Sequence, residues 1–447
     1  MRISAQVDFA IVRLTRKNNS KLTASKFDSS EALALHDNMD LKSYLFADRL
    51  EQAELERVIL GHFGSATSEG DHTTYRRNGS EAWLRIEYTK KHAIRDLMTS
   101  ANFPESDIRA LRDRIRAELV DGQETKVAQV TCFAYNQATG SVRGFVRGVD
   151  FQMMPLPPGN ATVGMNYGRH PFMLEVTYRT SPNFMIRYGR VQRSATTVVR
   201  LLNLLLASPI EMLPRSTDYS WVVDPQESDG NVDTKSRYMQ LGYFPVGLSV
   251  SIEKFSDPSG MSPMSRVPAN EYYSLRGIAL GRPLSLPDTF DESLKIVSQL
   301  PTRSYNKLFT ALTFFAMSHG VWHESRSASY ASLVAAIEAL LPESKTESCK
   351  RCGQPVYRIS NRFREFLSQH APGSEQARDR KALQETFYEL RSGLAHGTKV
   401  LQSDLEPWTF FHRKGDAEDE IHRRLQEVVR IAISSWLRGQ GQPIGNG

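Results

Sequence analysis

Apolar residues after position 286 recur with the spacing of α-helices, and this pattern restricts the fold more than any other feature of the chain. Between Thr302 and Glu324, for example, Leu308, Leu312 and Phe315 fall on one helix face. The predicted helices are 290–300, 302–324, 327–341, 358–370, a helix that ends near residue 396, and 416–437. Sustained apolar stripes joined by short loops predict an all-α helical bundle.

The half of the chain before residue 286 alternates between helical and strand-like patterns. Four segments between Lys126 and Arg190 have a period of two and predict a small antiparallel sheet: VAQVTCFAY, SVRGFVRGVDF, FMLEVTYR and FMIRYGR. Further predictions are strands at 3–14, 82–88 and 243–252, a loop at 68–79, helices at 41–60 and 193–207, and two short helices between 92 and 120. The fold class predicted is α+β, with a mixed N-terminal domain at 1–286, as one domain or two subdomains, and a helical domain at 287–447.

The charge of the chain bears on the kind of partner, and its cysteines and apolar runs bear on the cellular compartment. The 447 residues include 56 Lys and Arg against 50 Asp and Glu, with a pI near 9.1, which is compatible with an anionic partner or with a mildly basic surface. Three cysteines are too few for a disulfide framework, and no apolar run approaches the ~20 residues that span a bilayer. We therefore expect a cytoplasmic protein with no membrane segment.

The segment YELRSGLAHG, Tyr388 to Gly397, places an Arg and a His at the end of a helical pattern. Leu383, Phe387, Leu390 and Leu394 form its apolar stripe, and Arg391 and His396 lie off that stripe. Five residues subtend about 140° on an ideal helix, so both side chains can serve one site only where the helix tightens or ends. The alternative is a surface Arg beside a His that interacts with the helix C-terminus.

In its context this segment resembles the Apea-like branch of the HEPN family. The resemblance combines Tyr388, Arg391, Ser392 and His396 with the upstream helix SLVAAIEALL, which contains Glu338, and covers roughly residues 290–440. It implies a HEPN-like helical domain in which Arg391 and His396 are catalytic and Tyr388, Ser392 and Glu338 are supporting residues. Many active members carry Asn, Asp or His where this chain has Ser392.

The function that this resemblance implies is metal-independent RNA cleavage in bacterial anti-phage defence. A His that exchanges protons near neutral pH and an Arg that binds phosphate agree with attack by the RNA 2′-OH. The expected partners are RNA, a second subunit in a homodimer or larger even oligomer formed through the helical domain, and a phage-derived trigger. The alternative is a non-catalytic RNA-binding or dimerisation module coupled to an N-terminal sensor. A third hypothesis, an active site in the N-terminal half, has no motif in its favour.

Cys349 and Cys352 form a Cys-x2-Cys pair in a loop between two predicted helices. Such a pair presents two thiolates to zinc, but a closed structural site needs four ligands. The missing ligands would come from His319, His323, His370 or a second subunit; otherwise the two residues are reduced thiols. His319 and His323 are also spaced to chelate a metal, although His319 continues an apolar stripe and is better explained as a satisfied core histidine. The proposed cleavage requires no cofactor.

Arginine and aromatic residues interleave at two places in the N-terminal half. One set is Tyr75, Arg76 and Arg77, and the other runs from Arg187 through Tyr188 and Arg190 to Arg193. Stacking combined with positive charge suits single-stranded nucleic acid. Strand faces are also enriched in such residues for structural reasons, so both interpretations stay open.

Overall fold

The computed structural model describes most of the chain, with gaps. The described residues are 40–121, 123–156, 170–206, 209–212, 220–223, 227–228, 231–232, 237–240, 251–274, 283–322, 324–342, 347–348, 355–356, 359–371, 387, 390, 393–394, 399–405 and 413–441. They have mixed α and β structure with antiparallel sheets. The chain divides into two compact units, Met1–Asp121 and Gly122–Gly447.

The described part of the first unit contains a four-stranded antiparallel sheet and three helices. Its strands, paired in chain order, are β1 (Ser65–Glu69), β2 (His72–Arg76), β3 (Trp83–Tyr88) and β4 (Ile94–Thr99). Its helices are α1 (Leu41–Tyr44), α2 (Gln52–Phe63) and α3 (Glu105–Ile115), which continues as a π-helical turn, Arg116–Val120. Helix α2 packs against α3 and β2, and the sheet contributes Tyr75, Leu84 and Ile86 to the core.

Several predictions for this unit were wrong. The segment predicted as a loop at 68–79 contains most of the β1–β2 hairpin, because Thr73, Thr74 and Tyr75 are buried in an otherwise polar stretch. The first of the two helices predicted between 92 and 120 is instead strand β4, which pairs with β3. The helix predicted at 41–60 is two helices, while the strand at 82–88 is confirmed. The predicted strand 3–14 lies outside the described residues.

The second unit is built on a five-stranded antiparallel sheet with strand order β6-β7-β8-β5-β9. These strands are β5 (Thr125–Ala134), β6 (Val142–Val146), β7 (Val149–Pro155), β8 (His170–Arg179) and β9 (Ile210–Met212). The predicted small antiparallel sheet is therefore confirmed. Short strands follow: β10 (Ser220–Val223), β11 (Glu227–Ser228), β12 (Asn231–Val232), β13 (Arg237–Gln240), β14 (Arg266–Val267), β15 (Leu286–Pro287), β16 (Glu347–Ser348) and β17 (Pro355–Val356).

Helix α4 (Phe184–Leu205) corrects one strand prediction. The segment FMIRYGR forms its first two turns instead of a strand. The helix begins here because the Asn183 side chain accepts hydrogen bonds from the backbone N–H groups of Met185 and Ile186, which satisfies two free donors of the first turn. The predicted strand 243–252 lies mostly outside the described residues; Ile252 makes an isolated bridge to Val127.

The helices after residue 287 match the predicted positions closely. They are α6 (Phe290–Gln299), α7 (Thr302–Val321), α8 (Arg326–Glu338), α9 (Ile359–His370), α10 (Gln402–Leu405) and α11 (Arg413–Gln440). One short helix, α5 (Ala269–Ser274), precedes them. Leu308, Leu312 and Phe315 of α7 are fully buried, as the apolar stripe predicts.

One apolar cluster joins these helices to the sheet. It runs from Ala128 on β5 through Leu202 on α4 to Leu437 on α11, and α4 packs against both β8 and α7. A separate all-α bundle divided from the rest near residue 286 stays a prediction. Among the described residues, no helix is both long and apolar enough to cross a membrane.

Candidate functional site

The described residues of the motif segment, Tyr388 to Gly397, and Phe387 just before it are packed as the apolar stripe predicts. Phe387 is 1% exposed, and Leu390 and Leu394 pack against the apolar cluster of the second unit. The buried hydroxyl of Tyr330, on α8, donates a hydrogen bond to the carbonyl oxygen of Phe387 at 3.0 Å. Helix α8 thus fixes the start of the segment through both packing and a buried hydrogen bond.

Gly393 is needed at its position because another part of the chain approaches closely. A Cβ at residue 393 would lie 2.7 Å from Cδ and 2.9 Å from Cγ of Lys399, whose backbone N–H donates to the Gly393 carbonyl at 3.1 Å. Lys399 therefore lies directly against Gly393. Any larger residue at position 393 would have to displace the Lys399 side chain.

The residues that follow the motif are tied to the first turn of α8. The Leu401 N–H donates to Ser327 Oγ at 2.9 Å. The Asp404 carboxylate accepts from the backbone N–H groups of Arg326 at 2.6 Å and Ser327 at 2.9 Å, and from Ser325 Oγ at 2.9 Å. Burial acts to raise the pKa of Asp404, but these hydrogen bonds outweigh it and leave the pKa below its ordinary value.

Helix α11 supports this arrangement from the other side. Its Glu418 accepts from the backbone N–H groups of Gln402 at 2.9 Å and Ser403 at 3.1 Å, at the start of α10. Asp419 pairs with Arg326. Carboxylates of α10 and α11 thus satisfy free N–H groups at the starts of α8 and α10, where a negative charge is also favoured by the helix dipole.

Of the residues predicted for the catalytic site, Glu338 alone lies within the described parts of the chain. Tyr388, Arg391, Ser392 and His396 lie outside the described residues. Glu338 is the last residue of α8 and is half-buried. Since α8 rises about 1.5 Å per residue, Glu338 lies roughly 18 Å along the axis from the end that Asp404 caps. Its role as a supporting residue stays a prediction.

The metal predictions are likewise untested. Cys349, Cys352 and His323 lie outside the described residues. Within the described parts of the chain, no group of three or more His, Cys, Asp or Glu side chains is placed to hold a metal ion. Cys132 is a buried free thiol, and burial raises its pKa, which makes it an unreactive core residue.

A buried Ser–His pair that sequence analysis did not identify lies between α7, α8 and α11. His422 Nε2 is 2.8 Å from Ser329 Oγ, and Ser329 Oγ donates to the Ser318 carbonyl at 2.6 Å. The single hydroxyl proton is used in that bond, so His422 is the donor in the other and cannot act as a base toward Ser329. Both residues are at most 2% exposed. The pair is structural, and no substrate can reach it.

His319 lies in the same region and is a core residue, but it is not satisfied in the predicted way. Its ring meets Phe315 edge-on, with 5.0 Å between the ring centroids. Its buried Nε2 has no hydrogen-bond partner in the described structure. Burial, reinforced by the positive charge of Arg430, lowers its pKa to about 3. The pKa of His422 is also lowered to about 3, first by burial and then by His319 and Arg326.

A row of polar side chains crosses four strands of the five-stranded sheet and was also missed. Glu175 is fully buried and accepts hydrogen bonds from Gln129 Nε2 at 2.8 Å, Gln152 Nε2 at 3.3 Å and the Ser256 N–H at 2.9 Å. Arg143 donates to Gln152 and completes the row. In the sequence, this polar row is indicated by the alternating polar positions of the strands. The carboxylate is fully engaged by protein donors and attaches the segment around Ser256 to the sheet.

The two sets of interleaved arginine and aromatic residues differ in the structure. Tyr75 of the first set is 3% exposed, and burial raises the pKa of its hydroxyl. Its ring is therefore unavailable for stacking on a base. Tyr188 of the second set is 41% exposed on α4.

In comparisons with protein-family models, with curated proteins and with solved structures, no match to this chain was found.

Proposed function

We propose that this chain is a metal-independent endoribonuclease of the HEPN type that acts in bacterial anti-phage defence. The observation that carries the proposal is the packing of the motif segment. Phe387, Leu390 and Leu394 face the apolar cluster, and Arg391 and His396 occupy the remaining, off-stripe positions of the same sequence pattern. An Arg and a His on a firmly anchored segment are the minimum requirement for this chemistry.

The proposed reaction uses the nucleophile that RNA itself carries. The 2′-oxygen forms a bond to the adjacent phosphorus while the bond from phosphorus to the 5′-oxygen breaks. His396 accepts the 2′-OH proton or supplies the proton that the leaving 5′-oxygen takes up, and Arg391 stabilises negative charge on the phosphoryl oxygens. The products are a 2′,3′-cyclic phosphate and a 5′-OH end.

A two-fold pairing of helical domains would supply both proton-transfer roles. One His per subunit can act as base or as acid, whereas two His in one cleft can act as both. We therefore place the reaction in a homodimer or larger even oligomer, with Tyr388, Ser392 and Glu338 orienting the Arg and His. No cofactor takes part, and the N-terminal half would sense a phage-derived trigger.

The experiment that tests the proposal is incubation of the full-length protein with RNA, followed by analysis of the product ends. Products with 2′,3′-cyclic phosphate ends, and no cleavage of single-stranded DNA, are expected because DNA lacks the 2′-OH. In phage-infected cells, which supply the proposed trigger, expression of the wild type should arrest growth, and expression of His396→Ala should not. RNA that stays intact under conditions where it binds the protein would contradict the proposal.

The second candidate function is a non-catalytic RNA-binding or dimerisation module. Ser392 favours it, because this position follows Arg391 directly and many active members carry Asn, Asp or His there. Binding of RNA without cleavage, with no effect of His396→Ala on growth, would favour this function over the first.

A further inference from the structure

The first two turns of α4 expose an unusual group of large apolar side chains. Phe184 is 59% exposed, Met185 46% and Tyr188 41%. The rings of Phe184 and Tyr188 are stacked, with centroids 6.3 Å apart and planes 25° from parallel. Of the nine large hydrophobic residues exposed in the described parts of the chain, these three fall within five consecutive positions. Such a concentration on the surface indicates a binding site.

This stretch of chain is also strongly positive. Residues 176–210 contain five arginines and no Asp, Glu or Lys. The guanidinium carbon of Arg187 lies 5.8 Å from the centre of the Phe184 ring, which places a cation beside the stacked pair. A surface that combines flat rings with positive charge and carries no acidic residue on its own helix is complementary to an anion with aromatic groups.

The exposed rings are attached to a rigid element. Asn183 caps the helix, and Arg190 on the next turn donates to the carbonyl oxygens of Arg179 and Thr180. The second half of α4 is buried in the apolar cluster through residues such as Leu201 and Leu202. Little backbone entropy is therefore lost when a ligand stacks on the rings.

We propose that Phe184, Arg187 and Tyr188, the α4 aromatic surface, bind single-stranded nucleic acid. Bases extend the stack of the Phe184 and Tyr188 rings, and the arginine lies against the phosphate backbone or a base. Stacking accepts any base, so the surface holds the strand without selecting a sequence. The choice of RNA over single-stranded DNA rests on the proposed function. The proposal that this surface binds single-stranded nucleic acid does not rest on it.

The test measures binding separately from cleavage. A fluorescently labelled 2′-O-methyl oligouridine of about twelve nucleotides has no free 2′-OH and cannot be cut. Its binding to the full-length protein is followed by fluorescence anisotropy. We expect Phe184→Ala and Tyr188→Ala each to weaken binding roughly 10- to 100-fold, and Tyr188→Phe to leave it near wild type, because the ring and not the hydroxyl carries the stacking. Arg187→Gln should weaken binding and reduce its salt dependence.

Matched controls and probes separate the alternatives. Phe145→Ala removes a phenyl ring that is 46% exposed elsewhere in the same unit and should leave binding unchanged. An oligodeoxyuridine of the same length tests the choice of RNA, and a duplex whose bases are already stacked should bind more weakly. Because the probe cannot be cut, failure of the proposed catalysis leaves the binding result intact.

Three outcomes would overturn the proposal. They are wild-type affinity in Phe184→Ala and Tyr188→Ala, equal losses in Phe145→Ala, and the absence of measurable binding by the wild type at low salt. In each case the surface would be assigned to a protein partner with an apolar patch.

Discussion

The Tyr330 hydroxyl donates a hydrogen bond to the Phe387 carbonyl at 3.0 Å, and both residues are 1% exposed. This bond joins α8 to the residue that precedes the motif segment by one position, so the stability of α8 and the placement of the motif are coupled. Two residues 57 positions apart thus share one buried contact.

Tyr330→Phe should destabilise the protein by about 1–3 kcal/mol, because it leaves the Phe387 carbonyl buried without its donor while the ring still fills the same space. Urea denaturation followed by circular dichroism measures the change. Tyr305→Phe is the control, since its half-buried hydroxyl makes no hydrogen bond to a described residue. Equal stability of the two variants would show that the bond contributes nothing.

Stability should fall as the pH drops below about 6.5, because of His319 and His422. Both have a pKa lowered to about 3 in the folded protein, whereas an unfolded histidine has about 6.5. Between these values the unfolded chain binds protons that the folded chain does not, so folding loses up to about 1.4 kcal/mol per pH unit for each histidine. Above pH 6.5 this contribution is fully present.

His319→Leu tests that explanation directly. Its Nε2 has no partner in the described structure, so replacement by an apolar side chain should leave stability at pH 7.5 unchanged or slightly higher. The slope of stability against pH between 6 and 4 should become shallower. His92→Asn, at an exposed position with a positive φ of 59° that Asn tolerates, is the control. A slope unchanged in His319→Leu would contradict the assignment.

The helices after residue 287 were predictable because their apolar stripes continue over several turns and Pro or Gly separates most of them; α7 and α8 are separated instead by a segment that ends at Ser325, the N-cap of α8. The first turns of α4 were not, because FMIRYGR is short, aromatic and β-branched; the helix start depended on Asn183, which sequence analysis did not weigh as a cap. The bond from Arg326 N to Asp404, across 78 positions, has no local pattern at all. Arg391 and His396 were identified by spacing and resemblance, and both lie outside the described residues.

Arg391→Ala and His396→Ala should each reduce RNA cleavage about 10²- to 10⁴-fold while leaving the fold intact, because neither residue belongs to the apolar stripe. Circular dichroism and urea denaturation check the fold, and single-turnover cleavage of a labelled RNA measures the rate. Folded variants that still cut at the wild-type rate would refute the catalytic assignment.

The protein should be a homodimer or larger even oligomer in solution, since paired subunits bring two Arg and two His to one cleft. Light scattering at micromolar concentration gives the mass directly, for comparison with 50.5 kDa per chain. A fully active monomer would rule out the shared cleft.

Cleavage should persist in EDTA, because the 2′-OH and His396 perform the tasks that a metal-bound water performs in other nucleases. In this mechanism Cys349 and Cys352 affect only the stability of the folded protein. If they hold zinc, Cys352→Ser should lower the unfolding temperature, since metal binding to the folded state alone adds to folding free energy. Any loss of activity in Cys352→Ser should follow the loss of folded protein. Cleavage that stops at once in chelator with the fold unchanged, and returns with Mg²⁺ or Zn²⁺, would contradict the metal-independent mechanism and the roles given to Arg391 and His396.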